Sequence, residues 1–245
     1  MTKLINNYYD LERSAVAVKN NTHRTLVGGL WEEIGGLQFN FLVENGLEPD
    51  KKILDIGCGC LRVGVHIVKY LDSGNYYGSD LSQDLLDVGF DVELGNLGLQ
   101  HKLPKSQLLC ESEFRFEKLN ASFDFALALS VFTHLPLNQI RLCIERLTPV
   151  MAEGGLFFAT FFICEEGQDW AKSITQTDEV VTHPDSDPYH YRESDIEYCI
   201  GGLPWEAEIV GDWNHPRNQK MIIFKRKRHI SLADRIKKSY RAFML

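Results

Sequence analysis

The chain has 245 residues and a formal net charge of −8, with 44% hydrophobic and 24% charged residues. These are ordinary globular values, and they exclude a disordered, collagen-like or disulfide-scaffold chain. The length suits one large domain or two small ones. An acidic chain is not built to hold a nucleic acid backbone over its whole surface, so we predict no nucleic acid partner.

The beginning of the chain lacks the features of a secretory leader. Residues 1–10 contain no apolar core and no cleavage site of small residues. No stretch reaches the ~18 consecutive apolar residues that cross a bilayer. Six cysteines in such a chain are typical of reduced thiols. We therefore expect a soluble, cytoplasmic protein.

The first 30 residues are polar and aperiodic, and we interpret residues 1–30 as an arm or lid. Within it, His23 and Arg24 are candidates to cover a ligand. Over residues 31–47, hydrophobic residues recur at helical spacing. Gly46 is placed to end this helix in the left-handed conformation.

Strands and helices alternate over the next 110 or so residues. Helices are predicted over residues 61–71, from Ser82 (as N-cap) toward residue 97, and from Pro136 onward. This alternation favours a right-handed, parallel α/β sheet. The predicted strands are residues 52–56, 76–80, 106–110, 123–130 and 156–163.

The pattern changes after Cys164. Residues 165–204 are polar and rich in Asp, Pro and Gly, and we interpret them as a lid-like insertion. Two β-like runs follow, residues 207–213 and 220–224, and the short loop between them favours an antiparallel pair added to the sheet.

The last residues differ in charge from the rest of the chain. Residues 225–245 contain eight basic residues and one acid. We predict a basic amphipathic helix at residues 229–245. We expect it to dock on the acidic body of the same chain; a partner or an anionic membrane surface is the alternative.

The loop after the first strand is the most informative segment, because it places Gly57 and Gly59 before a predicted helix. Glycines let a ligand approach the backbone, and a helix N-terminus presents free amides. Asp80 ends the next strand, where a carboxylate can accept hydrogen bonds from both ribose hydroxyls. Together these features indicate a nucleoside-like cofactor at the carboxyl edge of the sheet.

The same loop lacks the marks of two other cofactor sites. A dinucleotide fingerprint would need a glycine at position 62, where the chain has Arg62, and this disfavours NAD. No Gly-Lys-Ser/Thr closes the segment, so it is not a P-loop. We interpret Arg62 as a solvated or salt-bridged residue. Cys58 and Cys60 lie inside the cofactor loop, and we assign no metal to them.

Three segments resemble class I S-adenosylmethionine-dependent methyltransferases: KILDIGCG at residues 52–59, YGSDLS at 77–82 and FDFALALSVFTHL at 123–135. The resemblance implies a Rossmann-like α/β fold over residues 31–228. Its seven-stranded sheet would be mostly parallel, with an antiparallel terminal strand and helices on both faces. It also implies S-adenosylmethionine as cofactor and S-adenosylhomocysteine as product, with no metal.

The resemblance assigns the cofactor contacts by position. The glycine loop would hold the methionyl part, the acid after the second strand would hold the ribose, and residues after the third strand would flank the adenine. The predicted cofactor-binding residues are Asp55, Gly57, Cys58, Gly59, Asp80, Leu81, Glu111 and Ser130.

Methyl transfer from a sulfonium needs alignment, exclusion of water and, for a hydroxyl acceptor, removal of a proton. A histidine suits the last task. His134 follows the fourth strand at the edge where ligands bind in open α/β sheets, although it could simply cap the next helix. His190, in the insertion, is the second candidate base.

The insertion and the final loop contain more Tyr, His and Arg than a plain connector needs. Arginine favours carboxylate or phosphate groups, so an anionic or sugar-like substrate is one explanation. The other is that these loop residues hold each other in place. The predicted substrate-binding residues are Tyr191, Arg192, His215 and Arg217.

Amine methyltransferases acting on nucleobases or glutamine share an Asn/Asp-Pro-Pro-Tyr/Phe motif after the fourth strand, whereas this chain has Ser-Val-Phe-Thr at residues 130–133. This favours an oxygen acceptor. Our hypothesis is a bacterial methyltransferase for a small polar molecule or glycan precursor. The alternatives are an NAD-dependent oxidoreductase and a non-catalytic interaction protein of methyltransferase fold.

Overall fold

The computed structural model describes Asn6 and residues 9–177 and 180–228. The predicted helix at residues 229–245 lies outside the described residues. The helices are α1 (Leu11–Lys19), α2 (His23–Leu26), α3 (Trp31–Glu44), α4 (Gly64–Tyr70), α5 (Gln83–Val88), α6 (Leu137–Leu147) and α7 (Glu193–Ile200). A π-helical turn, Gly89–Leu94, continues α5. Turns of 3₁₀ helix lie at Gln100–Lys102, Lys105–Gln107, Phe116–Leu119, Phe132–His134 and Thr148–Val150.

The strands form one large sheet and one separate hairpin. They are β1 (Ile53–Ile56), β2 (Tyr76–Asp80), β3 (Leu108–Cys110), β4 (Phe123–Ala128), β5 (Met151–Phe161), β6 (Ile174–Thr177), β7 (Val180–Thr182), β8 (Trp205–Gly211) and β9 (Lys220–Arg226). The sheet has the order β3-β2-β1-β4-β5-β9-β8, and β6 pairs with β7 apart from it.

Strands β1 to β5 run parallel, whereas β9 runs antiparallel to both of its neighbours, β5 and β8. The predicted seven-stranded, mostly parallel sheet with a reversed terminal strand is therefore confirmed. The strand order reverses between β1 and β4, and ligands of open α/β sheets bind at such a switch point.

The two faces of the sheet have separate cores. Along β4, Ala126 and Ala128 pack in the cluster that contains α6, whereas Phe125 and Leu127 pack in the cluster that contains α4. Successive strand residues point to opposite faces, so this division follows from the period of two. Helices on both faces are thus confirmed.

Some predicted boundaries moved. Ser82 caps α5 through its hydroxyl, which accepts from Leu85 N at 3.3 Å, but α5 becomes π-helical at Gly89. A β-carbon on Gly89 would lie 3.0 Å from the carbonyl carbon of Cys60, so this turn passes close to the glycine loop. Strand β5 begins at Met151, five residues early, because Gly154 adopts a φ of +82° beside a register shift.

Both irregular segments contain structure that the sequence did not predict. The arm holds α1 and α2, and the insertion holds the β6–β7 hairpin and α7. Within the described part of the chain, no helix combines the length and apolarity needed to cross a membrane.

Candidate active site

A cavity of about 430 Å³ lies at the carboxyl ends of the parallel strands. One part of its wall comes from the glycine loop and the ends of β2, β3 and β4. The other part comes from the arm, the β6–β7 hairpin and the β8–β9 loop. The volume is suited to a small-molecule ligand.

The glycine loop places its backbone directly at the cavity. Gly57 has a φ of +69° and donates to Ser79 O at 2.7 Å. A β-carbon at Gly57 would lie 2.5 Å from Val131 Cγ2, so only glycine fits. Gly59, with a φ of +54°, donates to Asp80 Oδ2 at 2.8 Å.

Asp80 is held in place by the backbone around it. Its second oxygen, Oδ1, accepts from Ser82 N at 2.9 Å. Burial raises the pKa of Asp80, and the hydrogen bonds from the Ser82 and Gly59 amides oppose that shift. Each carboxylate oxygen has two lone pairs, so this fixed group can still accept hydrogen bonds from a ligand.

Asp55 lines the same wall from β1 and is 3% exposed. The Tyr76 hydroxyl donates to its Oδ2 at 2.8 Å. Burial raises the pKa of Asp55 to about 7, and the hydrogen bond from Tyr76 only partly offsets it. A cationic ligand in the cavity would return this carboxyl to its ionised form.

Glu111 is also buried, but it is saturated with partners. Its carboxylate accepts from Lys118 Nζ at 2.5 Å, Arg115 Nε at 3.0 Å and its neighbour's amide, Glu113 N, at 2.9 Å. Burial alone would raise the pKa of Glu111, but these donors lower it to about 2. Glu111 lines the cavity, but its carboxylate is engaged by hydrogen bonds within residues 111–118.

Ser130 follows β4 with a φ of +60°, an uncommon conformation for a residue with a side chain. Its amide donates to Thr160 Oγ1 at 2.7 Å, and its hydroxyl donates to Gln219 Oε1 at 3.1 Å. Ser130, Cys58 and Leu81 also line the cavity. All eight residues predicted to bind the cofactor therefore line this one cavity.

His134 lines the cavity and pairs with Asp187, whose Oδ1 lies 2.5 Å from the histidine Nδ1. The side chains of His134 and Asp187 are 24% and 13% exposed. A carboxylate at Nδ1 selects the tautomer in which Nε2 carries the lone pair. The arm reaches this point too, since Asn6 Nδ2 donates to the His134 carbonyl at 2.6 Å.

His190 and Tyr191 are buried away from the cavity wall. The His190 Nδ1 lies 3.0 Å from Thr182 Oγ1, and its Nε2 lies 2.7 Å from the Trp170 carbonyl. The Tyr191 hydroxyl donates to the Leu135 carbonyl, and burial raises the pKa of this tyrosine. His190 therefore holds parts of the insertion together, whereas Tyr191 holds the insertion against the body.

Arg192 and His215 do not line the cavity either. Arg192 pairs with Asp195 at 2.9 Å and lies 4.4 Å above the ring centre of Trp170. His215 stacks on Trp213, with ring centroids 5.4 Å apart. Burial, together with the positive charges of two nearby arginines, lowers the pKa of His215 to about 4.

Arg217 does line the cavity, and its Nη2 donates to the Gly28 carbonyl of the arm at 2.5 Å. Arg62 lines it as well and is only 8% exposed, so of the two interpretations, solvated or salt-bridged, the solvated one is wrong. Its Nη1 donates to the carbonyls of Val27 at 3.0 Å and Gly29 at 3.3 Å. Both arginines therefore hold the arm against the cavity.

The arm has a second anchor outside the cavity. The buried carboxylate of Glu93 accepts from Arg24 Nη2 at 2.5 Å and lies 2.8 Å from His23 Nε2. Burial raises the pKa of Glu93, but the hydrogen bonds from Arg24 and His23 reverse that shift and lower it. Arg24 also lies 4.5 Å above the ring centre of Trp31.

The six cysteines are free thiols in the structure. Burial raises the pKa of Cys60 to about 12, so that thiol stays protonated at neutral pH. In the described ranges, no group of three or more His, Cys, Asp or Glu side chains is arranged to hold a metal ion.

Sequence reasoning missed four cavity residues or partners: Gln38, Arg62, Asp187 and Gln219. Gln38 follows the helical pattern of α3 like a surface residue, yet it is 1% exposed. Asp187 stands 53 residues from its partner His134. Gln219 follows His215 and Arg217, and Asp187 lies in the insertion, so both stand in segments that the sequence already distinguished.

Comparison with known proteins identifies the domain. Residues 54–157 match a family model described as a methyltransferase domain. This region contains the glycine loop, Asp80, Glu111 and His134, which all line the cavity.

Solved structures share the fold at low sequence identity. An S-adenosylmethionine-dependent methyltransferase from Clostridium acetobutylicum is 14% identical with a TM-score of 0.60, over 91% of this chain and 100% of that chain. Magnesium protoporphyrin IX methyltransferase (ChlM) from Synechocystis, with bound S-adenosylmethionine, is 15% identical with a TM-score of 0.54, over 80% and 81%. The CcbJ methyltransferase from Streptomyces caelestis is 14% identical with a TM-score of 0.59, over 82% and 97%.

The domain match shows a methyltransferase domain at residues 54–157, and its fold is shared with S-adenosylmethionine-dependent methyltransferases. The similar magnesium protoporphyrin IX methyltransferase contains bound S-adenosylmethionine in one structure and bound S-adenosylhomocysteine in another. The chain's own residues fit such a ligand, because the glycine loop, Asp80 and the cavity occupy the switch point of the sheet.

Proposed function

We propose that this enzyme methylates a hydroxyl oxygen of a small polar acceptor, such as a sugar, a glycan precursor or a carboxylate- or phosphate-bearing metabolite. His134 acts as the general base in this proposal. The observation that carries it is the pairing of His134 Nδ1 with Asp187 Oδ1 at 2.5 Å on the cavity wall. S-adenosylmethionine, when bound, supplies an electrophilic methyl group on a sulfonium.

The chemistry left to the protein is positioning and proton removal. His134 takes the hydroxyl proton on Nε2 as the acceptor oxygen attacks the methyl carbon. The bond from that carbon to sulfur breaks, and its electron pair stays on sulfur as a neutral thioether. Asp187 stabilises the imidazolium that forms, which is the usual effect of a carboxylate at the other ring nitrogen.

The arm and the insertion supply the exclusion of water that this reaction needs. Tyr9 and Gly28 of the arm, together with Val180, Val181 and Pro188 of the insertion, line the cavity. The backbone ties the insertion to the base, because Tyr189 N donates to Thr133 O at 2.7 Å. These contacts support the interpretation of residues 1–30 and 165–204 as covers over the ligand.

His134 is a better candidate than His190 for the base. His190 contacts Thr182 and Trp170 through its two ring nitrogens, whereas His134 stands on the cavity wall. A small-molecule acceptor also agrees with the name of one protein of similar fold, a magnesium protoporphyrin IX methyltransferase. We retain Arg217 as a substrate contact, because it is the predicted substrate residue that lines the cavity.

The test is an acceptor screen that follows release of S-adenosylhomocysteine, with sugars, hydroxy acids and phosphorylated alcohols as acceptors. With an active acceptor, His134→Gln should lower kcat by about 10²–10⁴-fold and leave the affinity for S-adenosylhomocysteine unchanged. Asp187→Asn should lower kcat by at least about tenfold.

His101→Gln is the matched control, because His101 is exposed and lies outside the cavity wall. Wild-type kcat in the His134→Gln variant would contradict the assignment of the base. Methylation confined to amine acceptors would contradict the oxygen assignment. Cofactor binding without turnover of any acceptor would instead favour the non-catalytic interaction protein.

A further inference from the structure

Three hydrogen-bond donors line the cavity from the side of α3 and the β8–β9 loop. They are Gln38, Arg217 and Gln219, which we call the donor cluster. The aromatic packing brings their elements together, since Phe41 of α3 and Trp213 of the loop have ring centroids 5.3 Å apart.

The amide of Gln219 is held in one orientation by its neighbours. Thr160 Oγ1 accepts the Ser130 amide proton at 2.7 Å and lies 2.7 Å from Gln219 Oε1, so its own proton is donated to that oxygen. Ser130 Oγ donates to the same oxygen at 3.1 Å. With Oε1 accepting twice, the amide nitrogen Nε2 must face elsewhere.

Gln219 Nε2 is a donor without an acceptor in the described part of the chain, and it is not sealed from solvent. The residue as a whole is 3% exposed and lines the cavity, so Nε2 has the cavity to donate into. Because its neighbours fix the amide, Nε2 is oriented to donate to a ligand oxygen in the cavity.

Gln38, on the neighbouring element, also lines the cavity, but its amide nitrogen is buried. It is 1% exposed, and its Nε2 has no acceptor among the residues that the structure describes. Because this nitrogen is sealed from the cavity, Gln219 is the amide of the donor cluster that faces a ligand oxygen.

The charge beside these amides is positive. No carboxylate of the described residues forms an ion pair with Arg217. A β-carbon built on Gly28 would lie 2.9 Å from Arg217 Nη1 and 3.6 Å from Arg62 Nη1, so two guanidinium groups converge there. The same two charges act on His215 and help to lower its pKa to about 4. An anionic ligand is therefore favoured.

The donor cluster lies on the side of the cavity formed by β4, β5 and β9. Gln219 directly precedes β9, which is separated from β1 by β4 and β5. It contacts Ser130, the predicted cofactor residue that follows β4, through the hydrogen bond at 3.1 Å. The predicted contacts of the ribose and adenine lie further away along the sheet, at the ends of β2 and β3.

We propose that the donor cluster binds a carboxylate of the methyl acceptor. Arg217 supplies the charge, and the amide of Gln219 donates to a carboxylate oxygen. The acceptor is then a small hydroxy acid, which the surrounding Phe162, Val180 and Val181 allow to be partly apolar. This inference rests on the proposed function and narrows its substrate class.

The test uses the full-length protein saturated with S-adenosylhomocysteine and titrated with 4-hydroxybenzoate, with 4-hydroxybenzamide as its uncharged counterpart. We expect the carboxylate to bind more tightly than the amide. Arg217→Gln and Gln219→Glu should each weaken 4-hydroxybenzoate binding by at least about tenfold. The Gln219→Glu variant keeps an oxygen for Ser130 and Thr160 but removes the donor.

Lys172→Gln is the matched control, since it removes one positive charge at a side chain that is 79% exposed. Thermal unfolding of each variant separates lost binding from lost folding. No binding of 4-hydroxybenzoate at millimolar concentration, equal binding of the two probes, or unchanged binding in both variants would overturn the proposal.

A second pair of ligands distinguishes the acceptor's carboxylate from that of the cofactor. 5′-Methylthioadenosine lacks the amino acid part of S-adenosylhomocysteine. If Arg217→Gln weakens S-adenosylhomocysteine but not 5′-methylthioadenosine, the arginine holds the cofactor and the acceptor assignment is wrong. If the wild-type protein binds S-adenosylhomocysteine but no carboxylate probe, this inference fails while the cofactor assignment stands.

Discussion

The two parts of the cavity wall are built in different ways. The side that we assign to the cofactor consists of the ends of β1 to β4, where the cavity-lining residues lie at the ends of their strands or shortly after them. The acceptor side consists of the arm, the insertion and the β8–β9 loop, joined by contacts such as that of Arg217 with Gly28, 189 residues apart. Strand order alone fixes the first part, whereas the second depends on long-range side-chain contacts.

The largest expected effect concerns Asp55 on the cofactor side. Its pKa is about 7 in the folded protein and about 3.9 when unfolded. The native state therefore binds more protons between these values, and stability falls as pH rises from about 4 to 7. The free energy of unfolding of the wild type should therefore fall between pH 4 and pH 8. We expect this fall to be smaller by up to about 4 kcal/mol in Asp55→Asn, as measured by urea unfolding.

Glu111 provides a control of opposite sign. The pKa of Glu111 is lowered to about 2 in the folded protein. Its ionised form therefore stabilises the fold at pH values above the unfolded pKa, and this stabilisation is lost as pH falls to about 2. Glu111→Gln should destabilise the protein at pH 7 and lose that effect in strong acid. The same pH slope in both variants would show that the two carboxyls do not differ as described.

Gly57→Ala tests whether the glycine loop is sterically fixed. The added β-carbon would lie 2.5 Å from Val131 Cγ2, at a φ of +69°. We expect a loss of about 2–3 kcal/mol in the free energy of unfolding, together with weaker S-adenosylhomocysteine binding. Gly36→Ala is the control, because a β-carbon there has no atom within 4 Å. Equal stability of the two variants would contradict the steric account.

His190→Gln tests the acceptor side. Because His190 contacts Thr182 and Trp170 rather than the cavity, we expect a loss of about 1–3 kcal/mol of stability. The pH–rate profile should keep its shape below the melting temperature. A variant of normal stability that loses all turnover would return His190 to the position of candidate base.

The smallest effect is expected at Arg192. Its pair with Asp195 is partly exposed, with Arg192 at 46%, and it stands outside the cavity wall. Arg192→Gln should change stability by less than about 1 kcal/mol and leave KM within about twofold. A large rise in KM, measured with the best acceptor from the screen, would place Arg192 in the substrate site after all.

The sequence was sufficient for the fold and for the cofactor side. Alternating strands and helices define the order of the sheet, and parallel strands bring their carboxyl ends to one edge. Gly57 and Asp80 therefore came to the same cavity from their positions in the chain alone. The reversed β9 came from the resemblance and the short loop before it.

The acceptor side was less predictable for physical reasons. Tyr191 and Arg192 are adjacent in the chain to His190, yet one is buried in the core and the other faces solvent. Asp187 meets His134 only because the insertion folds back over the sheet. The helices of the arm pack on α5 and on Glu93, and such contacts leave no short-range pattern in the sequence.

The most direct test of the central assignment is calorimetric titration with S-adenosylhomocysteine. We predict binding of one ligand per chain to the wild-type protein and at least about tenfold weaker binding to Asp80→Ala. Asp87→Ala, which removes a partly exposed acid on α5 outside the cavity wall, should bind like the wild type. No heat with either S-adenosylmethionine or S-adenosylhomocysteine at millimolar concentration would contradict the account, as would an Asp80→Ala variant that binds normally.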